Sequence, residues 1–350
     1  MSFKEIYGHE NQIRILQTAM RMKRVPHAYL FYGMKGIGKR TLAEVFAKAL
    51  NCLAQRDFMQ NGRSSEGVGF DSCDQCLSCV KADRSNHPDI MTVKADGQFI
   101  RIKEIREVQE QMKFAPVEKG LRVFLMIDAD RMNNVSANAL LKTLEEPSRS
   151  NLLILITSSP HQLPVTILSR CQRVRFNPLQ KETIASFLQD RLSMEPKRAL
   201  AIASSSGGSV GKALELSDDS SVDIWDKLFP VIYLDHAKDP LKFLSLAAAF
   251  GQEKEEITNR LNLMLTLYRD ALLFRETGDE HLLMNQQCSD VIKSVACGLT
   301  AEEIFHNVMT VNRAVEAIEL SANKQLTLEV MLFKLIRSNG EKISIAHSSS

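Results

Sequence analysis

Two hydrophobic patterns divide this chain. From residue 27 to about residue 177, short apolar runs alternate with stretches in which apolar side chains recur every three or four positions; beyond that point only the second pattern persists. HAYLFYG (27–33), LRVFLMID (121–128) and NLLILITSSP (151–160) are continuous apolar runs and predict strands buried on both faces. KRTLAEVFAKALNC (39–52) and SANALLKTLEEP (136–147) predict helices. In the second, Ala137, Leu140, Leu141 and Leu144 repeat at i, i+3, i+4 and i+7, and Pro147 ends the run. This alternation predicts an α/β domain with a parallel sheet over residues 1–177.

After FNPLQ (176–180) the segments read as helices alone. SSSGGSVGKALEL (204–216) is a Gly/Ser loop leading into one of them, and a small helical unit fits 178–217. RLNLMLTLYRDALLF (260–274), AEEIFHNVMTVNRAVEAIEL (301–320) and NKQLTLEVMLFKLI (323–336) are amphipathic and predict an all-α domain over 218–340, preceded by a less regular stretch around Trp225. The last segment, 341–350, ends in AHSSS and is expected to fray.

Composition narrows the class. A chain of 350 residues with 44% hydrophobic and 25% charged positions is long enough for two or three ordinary domains. No run approaches the roughly 20 apolar residues of a membrane span. The opening MSFKEIYGHE lacks the basic and then apolar stretch of a secretion signal, so a cytoplasmic setting with reduced cysteines is expected. A net charge of +2 gives no global case for nucleic acid, so any DNA contact must come from a local face or from partner chains.

The first candidate chemistry lies in GMKGIGKRT (33–41). Gly33, Gly36, Gly38 and Lys39 have the spacing of a phosphate-binding loop, in which backbone N–H groups curl around phosphates and the lysine reaches the terminal one. The next position carries a Mg²⁺-holding hydroxyl in a working loop; here it is Arg40, with Thr41 one place late. A working site also has Asp-Glu at the end of a later strand. Counted from NALLK, Ile127 stands where the Asp belongs and Asp128 where the Glu belongs. With two Mg²⁺ positions lost, hydrolysis by this chain is not expected.

The second lies in CDQCLSC, where Cys73, Cys76 and Cys79 are spaced to face one Zn²⁺. A closed tetrahedral site needs a fourth ligand: Cys52 is the first candidate and His87, in NHPD, the second. An iron–sulfur cluster is the chemical rival and free surface thiols the plain alternative; Cys171, Cys288 and Cys297 are isolated and read as core or incidental. The third lies in LPVTILSRCQ (163–172), which sets Arg170, preceded by Ser169, just after a predicted strand end. Taken alone, such an arginine reads as a solvated surface charge.

In combination these segments say more. HAYLFYGMKGIGKRTLAEVFAKALNC, the cysteine knuckle, NHPDI, NALLKTLEEP and LPVTILSRCQ occur in an order and at spacings that resemble the clamp-loader branch of the AAA+ ATPases. The likeness covers about 5–215 and extends more weakly through YRDALLF and NKQLTLEVMLFKL; NALLKTLEEP followed by SRC is far more specific than any P-loop. Among the bacterial members that serve DNA polymerase III, the motor subunit, gamma or tau, carries Thr after the lysine and Asp-Glu at the strand end. This chain, with Arg40, Ile127, Asp128 and DADRMN (128–133), is similar instead to members with a degenerate nucleotide site.

The resemblance implies an AAA+ domain over 1–177 with a zinc module at about 52–87, a helical lid over 178–217 and a helical collar for oligomerisation over 218–340. It also implies a structural Zn²⁺, ATP and Mg²⁺ bound mainly by neighbouring subunits, and Arg170, with Ser169, acting in trans on a neighbour's ATP. Implied partners are motor subunits (gamma/tau), a delta subunit, the sliding clamp and primer–template DNA, with no membrane. The interval from Cys52 to Cys73 is longer than is usual in the family, which keeps His87 open as a ligand. Two rivals stand beside this reading: an active, gamma-like ATPase, and a zinc-dependent binding module outside replication.

Overall fold

The structure, a computed structural model, describes residues 1–55, 70–217 and 247–340, apart from single positions 96, 98, 119, 149, 248, 249, 252, 284, 286, 287 and 321. The stretch around Trp225 and the terminal 341–350 lie outside the described residues, as does much of the interval between Cys52 and Cys73. The chain divides into two compact units. One comprises 1–192 with 207–212, the other 193–206 with 213–350.

The first unit is built on a five-stranded sheet in the order β2-β3-β4-β1-β5, with every pairing parallel. Its strands are β1 (Ala28–Tyr32), β2 (Ile90–Val93), β3 (Arg122–Met126), β4 (Asn151–Thr157) and β5 (Gln172–Arg175). Helices α1 (Glu10–Arg21), α2 (Lys39–Asn51), α3 (Leu77–Asp83), α4 (Ile102–Met112), α5 (Asn134–Glu145), α6 (Val165–Leu168) and α7 (Lys181–Leu192) complete it. Strand alternation sends Tyr29, Phe31, Val123, Leu125, Leu152 and Ile154 into a core shared with α1 and α2. Ala28, Leu30, Phe124, Met126, Leu153 and Leu155 point to the other face, where they pack with Ile105 and Val108 of α4, Leu140 and Leu144 of α5, and Cys171. Burial on both faces is why β1, β3 and β4 read as unbroken apolar runs.

Several expected ends shift for identifiable reasons. Strand β3 stops at Met126 because Asp128 takes a left-handed conformation (φ 51°), and β4 stops at Thr157, before a short 3₁₀ turn over Pro160–Gln162. Helix α5 starts at Asn134 instead of Ser136: the Asn133 side chain caps it by accepting the Ser136 N–H at 2.8 Å. The expected strand end before Arg170 is corrected. Residues 165–168 form a single helical turn after Pro164, Ser169 closes it, and Arg170 precedes β5 rather than following a strand.

In the second unit, α8 (Pro196–Ser205) is followed by a four-helix assembly of α10 (Lys254–Thr277), α11 (Ser289–Gly298), α12 (Ala301–Glu319) and α13 (Lys324–Gly340) around one core containing Phe250, Leu261, Tyr268, Ile292, Ile304, Val311 and Leu332. Helix α9 (Val210–Ser217) precedes this assembly in the chain. Among the described residues from 247 on, the structure adds a helix, α11, to the three the sequence pattern predicts. Helix α12 opens with a capping box in which Thr300 and Glu303 satisfy each other's N–H groups. Among the described residues, no helix is long and apolar enough to cross a membrane.

Candidate functional site

The loop between β1 and α2 has the curled backbone its glycines predict, with Gly33, Gly36 and Gly38 all at positive φ. Lys39, the first residue of α2, is almost wholly buried. Its ammonium donates to the carbonyls of Gly33 at 2.6 Å and Met34 at 2.7 Å. Burial pushes its pKa from 10.5 down to about 8, against the opposing pull of Asp128 and Asp130. Asp130 also accepts a hydrogen bond from Thr157 Oγ1, at the end of β4. The acid-bearing turn after β3 therefore does face the phosphate loop electrostatically.

The two Mg²⁺ positions hold nothing that would bind a cation. Arg40 lies along α2 and pairs with Glu44 at 2.7 Å, one turn on, while Thr41 follows it on the same helix. Ile127, partly buried, packs against the apolar core. Three contacts to this loop were not legible in the sequence. His9 Nε2 lies 2.6 Å from the Ile37 carbonyl, with its pKa lowered by burial; Ser209 Oγ donates to the Lys35 carbonyl at 3.0 Å; and the Gly211 N–H donates to the Gly36 carbonyl at 2.8 Å.

The cysteine knuckle closes around four thiols. Sγ atoms of Cys52, Cys73, Cys76 and Cys79 lie within 4.8 Å of one another, with Cys52 and Cys79 buried. Bonds of about 2.3 Å to a tetrahedral ion set sulfur atoms about 3.8 Å apart, so this soft donor set fits zinc with little movement. Cys52, at the end of α2, accepts the Cys73 N–H; a hydrogen bond from Cys79 lowers the Cys52 pKa and raises that of Cys79.

His87 is turned to other partners. Its Nε2 is 2.9 Å from Ser78 Oγ and 3.3 Å from Glu118, and its Nδ1 accepts the Asp89 N–H at 3.1 Å. Both ring nitrogens are thus engaged outside the thiol cluster. Lys48 of α2, buried, pairs with Asp74 and Asp83 at 2.6 Å each and pins the knuckle to the core.

Arg170 stands apart from both. The β1–β5 register pairs Tyr29 with Gln172, so Arg170, in the turn that leads into β5, lies toward the end where β1 starts, whereas Gly33 follows the other end of β1. The five residues of β1 lie between those levels, so the Arg170 backbone and the phosphate loop are about 20 Å apart along the strand direction. The side chain is partly exposed; it donates to the Thr166 carbonyl at 3.1 Å and to Glu145, the last residue of α5, at 2.7 Å. Its neighbour Cys171 is buried in the core, which pushes the thiol up to about 12 and leaves it unreactive at neutral pH. Glu145 lies within the KTLEEP run, where a carboxylate at a helix C-terminus, disfavoured by the helix dipole, was the available signal.

Comparison with known proteins gives concordant matches. The family described as DNA polymerase III, delta subunit, matches residues 8–180, and DNA polymerase III, delta subunit, C terminal, matches 228–337. The chain is similar to DNA polymerase III subunit delta' of Bacillus subtilis, at 30% identity over 96% of this chain and 98% of that one. It is also similar to DNA polymerase III subunit tau of the same organism, at 26% identity, over 96% of this chain but only 62% of tau. A gamma subunit-related protein of Thermotoga maritima aligns over 93% of this chain and 99% of its own, with 16% identity and a TM-score of 0.45.

Proposed function

Since the chain belongs to the delta-prime family of DNA polymerase III clamp-loader subunits, which function in DNA replication, we propose that it is a non-motor member of the loader ring, supplying Arg170 to ATP held by a neighbouring motor subunit. The observation that supports this reading is the separation of about 20 Å between Arg170 and the chain's own phosphate loop, toward opposite ends of the adjacent strands β1 and β5. An arginine so placed cannot serve its own loop, yet is exposed to a neighbour. Its rigid, permanently charged fork suits phosphate oxygens.

In this reading ATP and Mg²⁺ are bound mainly next door, and Gly33, Gly36, Gly38, Lys39, Arg40, Thr41 and Asp128 form a degenerate nucleotide site. Cys52, Cys73, Cys76 and Cys79 would hold a structural Zn²⁺, which ties the end of α2 to α3. The α/β part over 1–177, a lid over 178–217 and a collar over 218–340 are the proposed functional division. The proposed partners are gamma/tau and delta subunits, the sliding clamp, and primer–template DNA within the ring.

Reconstitution tests this. Arg170→Ala is expected to assemble with motor and delta subunits but to lower clamp loading and DNA-stimulated ATPase. An arginine acting in trans contributes about 10³ to 10⁵ in rate at its own site, diluted here by the other sites of the ring. Arg170→Lys keeps the charge without the fork and should recover only part. Full activity of both variants in a confirmed complex would leave Arg170 a surface charge.

A further inference from the structure

We propose that Glu145 is a positioning residue for Arg170, holding the guanidinium in one rotamer at the subunit edge before a neighbour's phosphate arrives; this rests on the reading of Arg170 as a trans-acting arginine. The two residues are 25 positions apart on separate elements, yet Arg170 Nη2 and Glu145 Oε1 meet at 2.7 Å. Arg170 Nη1 is held by the Thr166 carbonyl at 3.1 Å and approaches Ser169 Oγ at 3.4 Å. Of the five guanidinium N–H groups, the Nε hydrogen and one Nη2 hydrogen then have no partner among the described residues. Two donors therefore remain for a phosphate while the other side of the fork stays clamped.

Three further features fit positioning better than stabilisation. Both side chains are substantially exposed, 36% for Arg170 and 52% for Glu145, so the pair contributes little to folding. Glu145 is the last residue of α5, where the negative end of the helix dipole disfavours a carboxylate unless a cation accompanies it. The backbone on either side of Arg170 is fixed by Ile167 and Cys171, both buried, and α5 ends at Glu145 with Pro147 two residues beyond it. Only the flexible side chain of Arg170 is left to be ordered, and Glu145 orders it.

The test is a double-mutant cycle in the reconstituted loader, read as single-turnover clamp loading on primed DNA. An exposed ion pair biases its partners by a factor of up to about 5, so Glu145→Ala is expected to lower the Arg170-dependent rate by about 2- to 5-fold. Glu145→Gln keeps an acceptor of the same length and should lose less. The Glu145→Ala/Arg170→Ala double variant should match Arg170→Ala alone, with assembly and thermal midpoint unchanged throughout. The proposal is overturned if Glu145→Ala loads like wild type, or if the double variant falls below Arg170→Ala by the full factor of Glu145→Ala. Wild-type loading by Arg170→Ala would instead overturn the trans-arginine reading, and the positioning role with it.

Discussion

Replacing Asp89 by Ala should destabilise the first unit by about 5 to 7 kcal/mol. Asp89 is wholly buried at the start of β2, and its carboxylate accepts the N–H groups of Val117 and Glu118 at 2.8 Å each. It also faces Arg122 Nη2 at 3.2 Å. Arg122 is itself buried and donates to the carbonyls of Gln111 at 2.7 Å, Phe114 at 3.3 Å and Ala115 at 3.0 Å. Truncating Asp89 strands a guanidinium in the interior, which costs about 3 to 5 kcal/mol, and each amide left without an acceptor adds about 1 kcal/mol. Against a typical domain stability of about 5 to 15 kcal/mol this is a large share. Asp89→Asn keeps one acceptor oxygen and should lose about half as much, and Asp89→Leu with Arg122→Met should lose less than the sum of the two single changes, because no charge is left unpaired. Urea unfolding followed by circular dichroism measures the loss, and amide exchange at 117 and 118 reports it locally. A loss under about 1 kcal/mol with unchanged exchange at those amides would refute the reasoning.

Three other outcomes are expected. Purified protein should carry about one zinc per chain by elemental analysis, lost in Cys52→Ser and retained in His87→Gln; iron with visible absorption, no metal, or zinc retained by Cys52→Ser would each contradict the assignment. The chain alone should show negligible ATPase, unchanged by Lys39→Ala, because phosphoryl transfer depends on Mg²⁺ positioning that Arg40 and Ile127 do not supply; turnover abolished by that substitution would favour a motor-like activity. Because Lys39 binds its proton less tightly folded than unfolded, the unfolded chain holds more protons between about pH 8 and 10.5, and stability should gain up to about 3 kcal/mol from this residue as pH rises through that window. Lys39→Met should remove that increment when unfolding midpoints are compared at pH 8 and pH 10.5.

What the sequence showed depended on where each element sits in the sheet. The central strands β1, β3 and β4 are buried on both faces and announce themselves as apolar runs, whereas β5 at the edge reads QRVR with only Val174 buried, and β2 at the other edge is four residues long. An edge strand has too few apolar positions to separate from a loop. The thiol cluster was legible in its spacing, but the choice between Cys52 and His87 needed the fold: Ser78 and Glu118, which engage the histidine, come from α3 and from the loop before β3. The motif singled out Arg170 as a candidate, whereas its pairing with Glu145, 25 residues away, leaves no periodic trace beyond a carboxylate at a helix C-terminus.

The persistence of the loop's glycines and lysine in a chain with Arg40 and Ile127 at the other two motif positions follows from packing. A Cβ placed on Gly33 would stand 2.4 Å from the Phe176 carbonyl oxygen and 2.9 Å from Ile37 Cδ1. One on Gly36 would stand 2.4 Å from Ser209 Oγ and 3.2 Å from Gly211 Cα, and one on Gly211 would in turn stand 2.9 Å from Gly36 Cα. Both loop glycines also have positive φ, which a side chain would strain. Lys39 fills its place by binding the loop's own carbonyls: its buried ammonium donates to Gly33 and Met34, and so ties the two sides of the loop together. Gly33, Gly36 and Lys39 are therefore held by neighbours within this unit, and Gly38 by its positive φ, independently of nucleotide. The hydroxyl and the carboxylate have no such packing role: position 40 lies on an exposed helix face beside Glu44, and Ile127 at the other position adds apolar contact to the core. If catalysis belongs to a neighbouring subunit, as proposed above, those two positions are free to change while the glycines and the lysine are not, which is the pattern this sequence carries.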